Sequence, residues 1–125
     1  MSTIRVDTLT GSDGTSPVTL TKQSAAKAWA NFDGTGTVSV RDDLNISTLT
    51  DNGTGDYTAT LTSALANANG SYVFGCMTNS GSGDVRGVNN VPPTTTSIRF
   101  YGLSGSQAAL QDLDYIWMQV NGDLA

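Results

Sequence analysis

Residues 27–61, KAWANFDGTGTVSVRDDLNISTLTDNGTGDYTATL, read as three short β-strands joined by tight glycine turns, behind a Trp29–Phe32 pair. Val38 and Val40 alternate with Ser39 and Arg41, and Tyr57, Ala59 and Leu61 alternate with Thr58 and Thr60. A period of two marks a strand with one face buried and one wet. Between the second and third strands lies Asp51-Asn52-Gly53-Thr54-Gly55-Asp56, rich in residues that adopt positive φ at low cost, and the chain reverses there as a hairpin. Ile46 and Leu49 stand three apart, which breaks the alternation between Asn45 and Thr50 and predicts a β-bulge.

The pattern continues beyond this stretch. Ser71–Asn79 reads as a strand with Tyr72, Phe74 and Cys76 on one face and Val73, Gly75 and Met77 on the other. Both faces are apolar, so the strand is central or covered by a neighbouring chain. Ser97–Leu103 alternates again, and Leu113–Val120 is the most apolar strand, with Tyr115 and Trp117 opposite Ile116, Met118 and Val120. That last strand is sandwiched or lies at a subunit interface. About six strands at this spacing predict an all-β fold, a small β-sandwich or a Greek-key barrel. Helix propensity marks two places only: Ser24–Ala28 as a short helical link, and a turn around Ala108-Ala109-Leu110.

Two segments stand apart. Residues 1–24 form an extended N-terminal arm, with Ile4, Val6 and Leu9 before a Gly11–Pro17 turn and Val18 and Leu20 after it. So thin a pair of strands does not fold alone, so it pairs with another protein or with a neighbouring protomer, the alternative being a frayed N-terminus. Residues 25–125 are then the β-sandwich domain. Within it, Ser80–Ser97 is a long irregular loop holding Asp84, Arg86, Asn89 and Asn90, either a contact loop or a solvated one.

Composition excludes several function classes. The 125 residues carry a net charge of −5 with only six Lys and Arg, which argues against binding nucleic acid. Hydrophobic residues at 38% against 14% charged suit a patterned fold and not a disordered chain. No signal peptide and no membrane-spanning apolar run is expected. Cys76 is the single cysteine, so no intrachain disulfide forms, in keeping with synthesis in a reducing cytoplasm. It reads as a small buried hydrophobe, with a redox site as the alternative.

Chemistry is sparse. There is no histidine and no glutamate, which removes the common nucleophile–base pairs and the commonest transition-metal ligand. Gly34-Thr35-Gly36 and Gly53-Thr54-Gly55 lack the Lys-Ser/Thr of a phosphate loop. Asp42-Asp43 and Asp51/Asp56 are dense acidic pairs in turn-like settings, so no enzyme and no cofactor is expected. Asp51, Asn52 and Asp56 present oxygen ligands to calcium or, more simply, bond their own turn. Trp29, Tyr57 and Tyr101 are the aromatics open to stacking on a sugar, and each also fits a core position.

Trp29-x-Asn31-Phe32-x-Gly34-Thr35-Gly36-Thr37, Arg41, Asn45 and Thr50–Thr58 (TDNGTGDYT) together resemble a module of fibre-like structural proteins in tailed bacteriophages, marine ones especially. The opening MSTIRVDTL resembles the short piece that often precedes it. The resemblance covers roughly half the chain and brings no active site with it. It implies a virion structural protein on the particle surface, made in the bacterial host cytoplasm and attached by its arm to the capsid or another virion protein. A chain of this length has room for an anchor and one globule but not for a fibre shaft, which favours a capsid decoration (cement) protein or short head fibre. A tail-fibre or receptor-binding module that recognises a host-surface glycan is the alternative. Fibre-like phage proteins are typically trimeric, and the second apolar faces of Ser71–Asn79 and Leu113–Val120 point the same way, to a homotrimer.

Overall fold

The run Ala26–Asp33, part of which helix propensity assigns to a link, is the first strand, β1. Its Ala28, Ala30 and Phe32 are buried in strict alternation. A run of a turn or two has little helix stability of its own. Pairing on both edges outweighs a propensity of about a few tenths of a kcal/mol per residue. The structure is a computed structural model that describes residues 12–15, 26–77, 85–88, 91–104 and 109–122. Ser24 and Ala25 of the expected helix lie outside these.

Among the described residues there follow β2 (Ser39–Leu44), β3 (Ile46–Gly53), β4 (Asp56–Leu61), β5 (Ser71–Met77), β6 (Val85–Val88), β7 (Ser97–Ser104), β8 (Ala109–Leu110) and β9 (Tyr115–Asn121). All pairings are antiparallel. One sheet runs β2-β1-β9-β5 and the other β3-β4-β7-β6, with β8 also paired to β7. The two sheets pack face to face as a small β-sandwich.

Several expectations need correcting. Ala109–Leu110 is a short strand against Leu103 and Ser104, not a helical turn. The expected irregular loop contains β6, whose Arg86 pairs with Leu103; a four-residue strand in a glycine-rich setting gives too little periodicity to be read. β5 stands at the end of its sheet while β9 is central, so the two apolar faces of β5 do not mean a middle position. Trp29 and Phe32 belong to a strand of their own, which makes four strands in residues 26–61. The expected irregularity after Asn45 is present as a register shift between Ile46 and Thr48. The hairpin closes at Gly53–Asp56, with Gly53 at φ 134° and Gly55 at φ 64°.

An aromatic cluster joins the layers. Phe32 on β1 meets Tyr57 on β4 edge-on at 5.0 Å, and Phe74 on β5 stacks on Phe100 of β7 at 5.4 Å. Ile98, Ile116, Met118, Val120, Leu65 and Leu113 fill the space around it. Each such side chain contributes about 1.5–3 kcal/mol by leaving water. Along one flank the sheets close on each other: a Cβ on Gly87 of β6 would lie 2.8 Å from Phe74 Cβ and 2.9 Å from Gly75 N.

On the other flank the chain crosses between sheets at Asn45, between β2 and β3, with φ 60°. Its Nδ2 donates to the Lys27 and Ser63 carbonyls, and its Oδ1 accepts from Ser63 N–H at 2.7 Å. The corner is thereby tied to β1 and to the segment after β4. Ala26 and Asn121, near the two ends of the described domain, are cross-strand partners.

Candidate binding face

The two sheets present unlike outer faces to solvent. Alternation turns Thr48 and Thr50 of β3, Thr58 and Thr60 of β4, and Ser97 and Arg99 of β7 outward, a hydroxyl-rich surface. The outer face of β2-β1-β9-β5 is mixed instead, with Leu44, Trp29, Trp117, Tyr115, Val73 and Met77 set among Asp33, Arg41, Asp42, Asn31 and Gln119. Val73 is 50% exposed and Trp117 38%. The second apolar faces of β5 and β9 expected from sequence are therefore real, and they face outward.

Register places the groups. Trp117 on β9 stands opposite Asn31 of β1 on one side and Gly75 of β5 on the other. Gln119 stands opposite Trp29 and Val73, which makes Trp29 and Val73 diagonal neighbours of Trp117. The Trp117 indole occupies the room a side chain on Gly75 would need: a Cβ there would collide with ring atoms Nε1 and Cε2. The ring is thus laid across the neighbouring strand. Asn31 Oδ1, beside it, is shut from solvent and has no hydrogen-bond partner.

Two charges at this face, Arg41 and Asp33, hold each other. Arg41 Nη2 donates to Asp33 Oδ2 at 3.0 Å, and its guanidinium sits 4.3 Å from the centre of the Tyr115 ring. The Thr35 hydroxyl and N–H also donate to Asp33, and together with Arg41 they hold its carboxyl below the ordinary range.

The acidic hairpin is likewise engaged by its own structure. Asp51 Oδ1 accepts from Gly53 N–H at 2.9 Å, an Asx turn, and Asp56 is held by Arg99 and Asn52. Tyr57 is a core residue, which corrects its place among the sugar-stacking candidates; packing wins because its hydroxyl finds a partner inside, Asp112 Oδ1 at 2.9 Å. Burial first, and the Asp112 carboxylate second, push that phenol well above its usual pKa. Gly55 N–H donates to the same Asp112 oxygen, which pins the hairpin to the segment before β9. Tyr101 lies on the hydroxyl-rich sheet with the Arg99 guanidinium 5.7 Å from its ring centre. Trp29 is on the outer face of the β2-β1-β9-β5 sheet, half-buried.

Cys76 is buried and free, and burial pushes its thiol up. Among the described residues no three His, Cys, Asp or Glu gather as a metal site. No helix there is long and apolar enough to cross a membrane. Ile4, Val6, Leu9, Val18, Leu20, Asp84, Asn89 and Asn90 lie outside the described residues. The turn expected between the arm's strands is seen at residues 12–15, where Thr15 N–H donates to Asp13 Oδ1. Sequence reasoning missed Trp117 with Gly75 and Asn31, because the grouping depends on which strands pair. Compared with protein-family models, curated proteins and solved structures, the chain matches none.

Proposed function

We propose that the chain is a non-enzymatic structural protein of a tailed-phage particle, displayed on its surface as a capsid decoration protein or short head fibre. Residues 1–24 attach it to the capsid or another virion protein, and the β-sandwich is the displayed part. The observation that carries this reading is the unlike pair of sheet faces, one hydroxyl-rich and one bearing exposed aromatic and aliphatic side chains among its polar ones. Large apolar side chains left exposed together and rimmed by polar ones mark an interaction surface. The fibre-like TDNGTGDYT resemblance supplies the setting. The same face also suits recognition of a host-surface glycan, because the Trp117 indole lies along the sheet with part of its surface in solvent.

Gold-labelled antibody on negatively stained particles tests the placement, with many copies on the head expected. A few copies at the tail would transfer the proposal to a tail-fibre module, and no label on particles would end it. A chain lacking residues 1–24 is expected to keep its far-ultraviolet spectrum and to lose binding to particles. Retained binding would put the attachment surface on the sandwich itself.

A further inference from the structure

We infer that the outer face of the β2-β1-β9-β5 sheet, centred on Trp117, binds a neutral pyranose-containing glycan. The inference takes its biological setting from the surface-display reading above, while the binding is a property of the isolated chain.

Four observations converge on a sugar. The first is the ring. Gly75 has no side chain, so the Trp117 indole lies across β5 instead of standing off the sheet. A ring laid down in this way, and still 38% exposed, offers a flat apolar surface to the C–H face of a pyranose. The second is the polar surround. Asn31 faces the indole across one strand pair, and Gln119 lies two residues along β9 on the same face. Sugars need such amides, because their hydroxyls must keep hydrogen bonds on leaving water. Asn31 Oδ1 is shut from solvent and would reach a hydroxyl only after its amide turns, whereas Gln119 is exposed as it stands.

The third is size. Strands about 4.8 Å apart, at about 3.3 Å per residue, give this face roughly 400 Å² in projection. That footprint accommodates an oligosaccharide, and a second copy of the chain over the same face is the competing occupant that sedimentation distinguishes. The fourth is charge. The chain carries −5 overall, and the Arg41 cation at this face is held by Asp33 and Tyr115. Sialylated, sulfated and other acidic glycans are therefore disfavoured, and neutral ones are not.

The test presents the full chain to a panel of neutral gluco-, galacto- and N-acetylglucosamine oligosaccharides beside sialylated and sulfated ones, and follows tryptophan emission in titrations. The expected result is saturable binding of a neutral member with a shift in emission. Trp117→Ala should weaken it about tenfold or more, and Tyr101→Ala on the opposite sheet should leave it unchanged. Gly75→Val should weaken it too, by lifting the indole off the strand. Since that variant alters sheet packing, the part-exposed Trp117 variant, checked by circular dichroism, is the deciding one. Three results would overturn the inference: no neutral saccharide bound in the millimolar range, binding undiminished in Trp117→Ala, or a Trp117→Ala chain whose sedimentation shows that a second copy had covered the face. Absence from particles would refute surface display and leave a positive sugar titration standing. A chain found on particles that binds no sugar would do the reverse.

Discussion

Arg99 reaches across from β7 to Asp56 with two donors, Nε and Nη2, while Asn52 Nδ2 bonds Asp56 Oδ1 from the hairpin side. These donors, Arg99 above all, hold the Asp56 carboxyl below its ordinary 3.8. A depressed carboxylate stabilises the fold above its unfolded pKa and loses that contribution as pH falls through the folded one. Arg99→Gln should therefore lower the melting temperature at neutral pH. The gap to wild type should stay full above about pH 5 and shrink as pH falls through the lowered pKa that Asp56 has in the wild-type fold. Melting curves across pH check this, and a gap independent of pH would show that Arg99 acts through packing alone. The hairpin's acids were open to two readings in sequence. What decides between them, the pairing of Thr58 with Arg99 that sets Arg99 beside Asp56, is a register fact that the hairpin's own residues do not contain.

The link between β2 and β3 is a single residue at positive φ that makes three side-chain hydrogen bonds, so one asparagine turns the chain from one sheet to the other. Asn45→Ala should cost about 3 kcal/mol, from lost hydrogen bonds plus left-handed strain. Asn45→Gly should cost about 1 kcal/mol less, because only the hydrogen bonds go. Urea unfolding of both variants separates the terms, and equal losses would mean the backbone there is unstrained. Strands with clean alternation, β4, β7 and β9, were legible from residues alone, since burial on one face writes itself as period two. β1 was not, because Ala28 and Ala30 are inward-facing yet small and favour helix when read locally. β6 and β8 are too short to carry a period.

At the scale of the molecule, stability comes from one aromatic and aliphatic core between two sheets, with no metal cage among the described residues. The melting temperature should accordingly be unmoved by chelator or by reductant, and Cys76 should react with a thiol reagent only as fast as the chain opens. A drop with chelator would reinstate the acidic hairpin as a cation site. The apolar part of the candidate face was legible as the second apolar sides of β5 and β9. Its use was not, because Gly75, Asn31 and Trp117 become neighbours only once β9 is placed between β1 and β5. The pairing of Ala26 with Asn121 has a consequence for how such a unit travels between architectures. Its entry and exit points lie roughly 5 Å apart, the spacing of cross-strand partners. A unit of that kind can be spliced into a surface loop of a host protein by opening one peptide bond, with neither fold required to stretch. Exchange of this globule among unrelated scaffolds is therefore a low-cost step in structural terms.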